Sequence, residues 1–219
     1  VNNWFGPTWW SGGNWRWNFA PNTNWWAWAT WPTVSTWIPT ANWSQPIYYN
    51  FGNNVWVQND TVFFGDQPVA TTEEFANQAE QIATSIPDVE PAPEDWMPLG
   101  VFAMTPSDED DEDIEPSLFL QLAVSKQGII SGSLQNTTAN TVKAIEGMVD
   151  KQTQRAAWTE VGQTRPIMEA GISNLTQDTT PVLVHFADGS IQQWLLVRLD
   201  RPSGSREDSS PPVPATPPQ

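Results

Sequence analysis

Cysteine is absent from the 219 residues and histidine occurs once, at position 185. The first absence excludes disulfides, thiol catalysis and zinc sites of the Cys type. The lone histidine, with no G-x-S-x-G turn in the chain, leaves a Ser-His-Asp triad without support. Basic residues are scarce: nine Lys and Arg stand against twenty-five Asp and Glu, a net charge of −16. With no basic cluster to displace counterions from phosphate, nucleic acid is set aside as a partner, and an anionic membrane surface is disfavoured for the same reason. No apolar run reaches the roughly 20 residues that a membrane-spanning helix needs, so no transmembrane span is expected. Val1 stands where a Met would start a chain. The expectation is that a leader has been removed or that the sequence is a fragment, and no signal peptide is visible.

What is present is tryptophan, distributed unevenly. Residues 1–59 hold twelve of the fifteen tryptophans and one charge, Arg16. Such a surface-poor composition needs a partner for its indoles, each of which could bury roughly 200 Å². The partner is the rest of the chain, another copy, a neutral bilayer interface or a polysaccharide. Residues 60–125 carry sixteen acids and no base, so the acidity belongs to the middle of the chain.

Along the chain five stretches separate. Residues 1–46 are a Trp-rich, low-complexity segment whose indole spacing fits neither strand nor helix period, and Trp31-Pro32 and Ile38-Pro39 interrupt it. Residues 47–86 read as a β-meander, with IYYNF (47–51), VWVQ (55–58) and TVFF (61–64), followed by a helix over about 72–85. The helix has a capping box, Thr71 with Glu74, and an apolar stripe of Phe75, Ala79, Ile82 and Ile86. Residues 87–97 form an acidic, Pro-rich linker that suits a domain boundary. Residues 98–200 contain about eight strands, at 98–105, 117–125, 128–135, 141–149, 154–160, 166–173, 181–187 and 190–200. The connections are too short for crossover helices, and Asp188-Gly189 is a strong hairpin signal. The fold class is therefore mainly β: an antiparallel meander closing into a small up-and-down barrel, or a sandwich, with one short helix and an irregular Trp-rich N-terminal segment. Residues 201–219 are Pro-rich and expected to be disordered.

The segments PIYYNFGNNVWVQNDTVFFGDQPVATTEEFANQAEQIA, PLGVFAM, LQLAVSKQGIISG, VDKQTQRAAW, NLTQDTTPVLVHF and QQWLLVRL, all within residues 46–200, resemble a bacterial cell-surface family labelled mu-protocadherin-like. The resemblance implies export and association with the cell envelope. It brings no catalytic set, cofactor or known ligand, and the chain lacks the recurrent acidic motifs with which cadherin repeats hold calcium.

The acidic run from Asp108 to Glu115 lacks the alternation and turn glycine of an EF-hand loop and reads as a solvated loop; no metal and no cofactor are expected. Glu146, Glu160 and Glu169 lie in or near strands but carry no spacing that marks a glycosidase pair. His185 alternates with Val184 and Phe186 and reads as structural. If the barrel encloses a ligand, Arg155, Trp158, His185, Gln193 and Trp194 could make its polar and aromatic lining. If the N-terminal segment displays its rings, Trp25, Trp26, Trp28 and Trp31 are the densest platform for a sugar face. The leading expectation is a non-enzymatic, exported surface protein with a structural or adhesive role, whose partner is a cell-envelope glycan or another surface protein. The alternative is a module binding a glycan or small apolar molecule, and a hydrolase is third.

Overall fold

In the computed structural model, the residues described are 26–27, 29–39, 43–107 and 116–200. Trp25, Trp28, the acidic run from Asp108 to Glu115 and the Pro-rich tail lie outside them. Apart from Asp200, the described residues belong to one unit, Asn18–Leu199.

Eight strands close into a barrel in which every neighbour is antiparallel: β4 (Trp96–Pro106), β5 (Leu118–Ser125), β6 (Ile129–Asn136), β7 (Thr141–Val149), β8 (Arg155–Glu160), β9 (Ile167–Gly171), β10 (Thr179–His185) and β11 (Ile191–Arg198). Chain order is spatial order, and β11 closes on β4 with Leu196 opposite Met104. This is the up-and-down barrel expected from the short connections. Alternation decides the faces. Leu120, Leu122 and Val124 of β5 join Phe102, Ile130, Ile145, Ala156, Trp158, Met168, Val182 and Leu196 in the interior. Trp158 is fully buried there, so the inside of the barrel is filled by side chains. Its neighbour across the ladder is Gly147, where a Cβ would stand 2.6 Å from the Trp158 Cα; no larger residue fits between these two strands.

Helix α1 (Trp31–Trp37) arises within the segment read as irregular. Trp31-Pro32, which looked like a breaker, is instead a helix start, because proline is tolerated in the first turn where its missing N–H has no partner to lose. Val34 and Ile38 are fully buried in the same cluster as the barrel interior. Trp37 donates its indole N–H to the Val124 carbonyl at 3.1 Å, and Trp43 donates to that of Lys151 at 2.8 Å. Both acceptors sit where β5 and β7 end, so α1 closes that end of the barrel. Arg198 serves the same end: it crosses the Phe102 ring and donates to the carbonyls of Leu99 (2.7 Å) and Leu175 (2.5 Å). Its route passes over Gly100, whose φ of +146° and missing Cβ leave the space.

Outside the barrel lie a three-stranded antiparallel sheet, β1 (Val55–Gln58), β2 (Thr61–Phe64) and β3 (Gln67–Thr71), and helix α2 (Thr72–Thr84). Asn59 and Asp60 both take positive φ in the β1–β2 turn, the backbone that a tight hairpin requires. The expected strand at 47–51 does not form. Its backbone is satisfied by side chains instead: Ile47 N–H by Gln154 Oε1 and Tyr49 N–H by Asn174 Oδ1, both at 2.8 Å, while Ser173 Oγ donates to the Ile47 carbonyl. The strand that replaces it, β3, contains Pro68 and is accommodated at the sheet edge beside a register shift at Val62/Phe63. The Pro-rich stretch after α2 runs into a 3-10 turn at Pro93–Asp95, and Asp95 pairs with Lys126 at 2.7 Å.

Candidate functional site

Three consecutive strands each send a polar residue outward to one place. Arg155 on β8, Glu169 on β9 and His185 on β10 alternate with the interior residues Ala156, Met168 and Val184, so they face away from the core. Helix α2 covers them. Its capping box forms as expected: Thr71 Oγ1 accepts from Glu74 N–H at 3.1 Å and Glu74 Oε2 accepts from Thr71 N–H at 2.9 Å. The start fixed in this way turns Phe75, Ala79 and Ala83 onto the barrel wall, where small side chains at Ala79, Ala83 and Ala157 allow close approach.

Glu169, 1% exposed, is the hub. Its Oε2 accepts from Arg155 Nε at 3.0 Å and Nη2 at 2.5 Å, and its Oε1 is 2.8 Å from His185 Nε2. Arg155 continues to α2, donating to Gln78 Oε1 at 2.8 Å and to the Phe75 carbonyl at 3.3 Å, with its guanidinium 3.8 Å over the Phe75 ring. Burial works to raise the Glu169 pKa, but the Arg155 charge and the hydrogen bond from His185 outweigh it and hold the carboxyl below its ordinary value. An ionised Glu169 only accepts, so in the neutral imidazole the proton lies on Nε2. Nδ1 is then a bare acceptor, buried and without a hydrogen-bond partner. Tyr49 lies nearby, its hydroxyl donating to the Thr153 carbonyl at 2.6 Å; burial, against the pull of Arg155, pushes its pKa up to about 12.

Two hollows flank this cluster. An apolar groove of about 540 Å³ runs between the outer sheet and β10–β11, lined by Phe51, Val55, Trp56, Val62, Phe75 and Leu183 among others. Trp56 is held there by stacking on Phe63, with centroids 4.3 Å apart, and by donating to the Gly65 carbonyl at 2.9 Å. A smaller cavity of about 240 Å³ lies at the start of α2, with Glu73, Asn77, Arg165, His185, Phe186 and Ser190 in its wall. Arg165 is tied to Glu80 of α2 at 2.7 Å, and Ser190 Oγ donates to Asp188 Oδ1 at 2.6 Å.

The residues picked out from sequence are thus divided. Arg155 and His185 meet, but beneath α2 rather than in a barrel lumen. Trp158 is in the packed interior, and Trp194 is half-buried against it, with its indole N–H donating to Gln192 Oε1 at 3.0 Å. Gln193 is on the rim of the apolar groove. Trp31 is half-buried and stacks on Trp43 at 5.7 Å, Trp26 is also half-buried, and Trp25 and Trp28 lie outside the described residues. Sequence reasoning named Glu169 without its partners, and missed Phe75 and Gln78 as members of the cluster. Strand alternation gives the outward parity of Arg155, Glu169 and His185, but the pairing of Glu169 with Leu183 across β9–β10 has no local signal.

A carboxylate–imidazole pair with one free ring nitrogen is the base half of a nucleophilic triad. Here no hydroxyl bonds to Nδ1, and the Ser190 hydroxyl is directed to Asp188. Glu169 is paired with Arg155 rather than with a second carboxylate, and Glu160 is bound to Lys143 at 2.6 Å. Among the described residues no group of three or more His, Asp or Glu side chains could hold a metal ion, and no helix is long and apolar enough to cross a membrane. No family model, curated protein or solved structure matches the chain.

Proposed function

We propose that this is a non-enzymatic, exported cell-envelope protein with a structural or adhesive role. The observation that carries the reading is the Arg155–Glu169–His185 cluster, sealed between α2 and the barrel wall. The chain's one histidine and, among the described residues, its most deeply buried carboxylate are committed to holding Arg155 against α2, and the barrel interior is filled. The envelope placement is supported by the resemblance of the segments within residues 46–200, and the partner proposed is an envelope glycan or another surface protein. Fractionation of the producing cells, with protease treatment of intact cells, tests it: recovery with the envelope and loss on protease treatment are expected, and recovery with the cytosol overturns it.

The apolar groove favours a second reading, a module that takes a small apolar molecule. Its volume of about 540 Å³ lies within the roughly 300–1,000 Å³ of small-molecule sites, and its wall is mostly aliphatic and aromatic. An apolar fluorescent probe such as anilinonaphthalene sulfonate should brighten with the folded chain and lose most of that signal on Trp56→Ala. Equal signal from the two proteins would end this reading.

A further inference from the structure

The apolar groove lies between two sheet faces that do not close on each other. Phe51, Val55, Val62 and Phe75 line it and are buried, while Val57 stands at its open side, 56% exposed. On the barrel side, Leu183 and Gln193 are paired across β10–β11 and face outward, opposite in parity to the interior residues Val182 and Leu196. The barrel therefore offers the groove an apolar side chain and, beside it, an amide. We infer that the groove takes one molecule of an uncharged amphiphile, its hydrocarbon chain against the apolar side chains and a hydroxyl or amide head on the Gln193 carboxamide. The inference rests on the second reading above, a module for a small apolar molecule, and assigns the head group that such a molecule carries.

The polar groups of the wall select the head. Trp56 gives its indole N–H to the Gly65 carbonyl, and Thr72 gives its hydroxyl proton to Asp60. The Gln193 side chain, half-buried, forms no hydrogen bond with another described residue. Its Oε1 lies against Gly52, where a Cβ would stand 3.0 Å away, so the glycine leaves room for the amide at the rim. A carboxamide both donates and accepts, which suits a hydroxyl or an amide better than a group that can only do one. Charge argues the same way. Among the described residues the wall contains no Lys, Arg, Asp or Glu, and residues 60–125, which supply Val62, Thr72 and Phe75, carry sixteen acids and no base. An alkanoate would bring its carboxylate into that acidity with no cation to pair it, and an alkylammonium would find no carboxylate in the wall. The volume of about 540 Å³ suits one small molecule.

The full chain, labelled with carbon-13 at the methyl groups of Ile, Leu and Val, is titrated in NMR with n-octanol, octanoate and octylammonium at neutral pH. The alcohol should move the methyl signals of Val57, Val62 and Leu183, with a Kd on the order of 0.1 mM. Those of Leu122 and Ile130, in the filled interior, should stay in place. Octanol should also bind about tenfold more tightly than either ion, and Gln193→Ala should weaken its binding about fivefold. Gln193→Glu, which replaces the amide by a carboxylate, should reverse the order and make octylammonium the tightest of the three. Two results overturn the inference and leave the apolar-molecule reading standing: equal affinities for the alcohol and the ions, or an octanol affinity that Gln193→Ala does not change. Groove methyl signals that no ligand moves would end both.

Discussion

Glu169 accepts from the Arg155 guanidinium and the His185 imidazole in a place that water does not reach, and both properties set its energetics. Removing one member of a buried ion pair leaves the other uncompensated, so Glu169→Ala should cost about 3–5 kcal/mol in urea unfolding. The pH dependence follows from the direction of the shift. Its folded-state pKa lies below the ordinary 4.5, so the stabilisation is complete above that value and is lost as pH falls through the folded-state value. The urea midpoint of the wild type should therefore drop below pH 4.5 more steeply than that of Glu169→Gln; parallel curves would remove Glu169 from the acid transition. Tyr49 acts at the other limb. Its pKa rises from 10.0 to about 12, so the neutral phenol contributes fully below pH 10 and its contribution is lost as pH climbs through 12. Two units correspond to about 2–3 kcal/mol, and Tyr49→Phe should flatten the alkaline fall of the thermal midpoint.

Helix α2 meets the barrel through its smallest side chains, Ala79 and Ala83 against Ala157, and this brings Gln78 and the Phe75 carbonyl within reach of Arg155. Enlarging that contact should act on the polar cluster as well as on packing. Ala79→Leu is expected to cost about 1–3 kcal/mol from overpacking, and to shift the His185 imidazole signals although the two residues are not bonded. A stability loss with unmoved His185 signals would show that helix and cluster are independent. The elements themselves differ in how far sequence exposed them. The eight barrel strands were legible because the interior takes every second residue, as in Leu118, Leu120, Leu122 and Val124, and because Gly128 and Gly189 mark tight connections between them. Helix α2 was legible from its cap and stripe. What was not legible depends on distant partners: residues 47–51 have the composition of a strand, yet Gln154, Ser173 and Asn174, more than a hundred positions away, take their backbone groups. In the same way Pro32 reads as a breaker, and becomes tolerable only once Trp31 is a first turn.

At the scale of the molecule, the barrel does not bury its core alone. Val34 of α1 and Ile38, the residue that caps its C-terminal end, are as buried as Leu122 or Ile130 in the middle of the sheet and belong to the same cluster. On the outer side, the charge of Arg155 is balanced by a neighbouring strand and capped by α2. Neither helix therefore has a stable surface to leave behind: losing α1 exposes the barrel end, and losing α2 exposes a buried ion pair, a cost comparable to much of a typical domain's stability of about 5–15 kcal/mol. The expected consequence for Asn18–Leu199 is one cooperative transition. Ile38→Ala, although it lies in a connecting segment, should cost about 2–5 kcal/mol, within the same range as Leu122→Ala in the barrel wall. Far-UV circular dichroism and calorimetry should record the same lowered midpoint in each variant, with the calorimetric and van't Hoff enthalpies in agreement. A separate early transition in Ile38→Ala, leaving the barrel signal at its wild-type midpoint, would mean that α1 is an accessory to a self-sufficient barrel rather than part of its core.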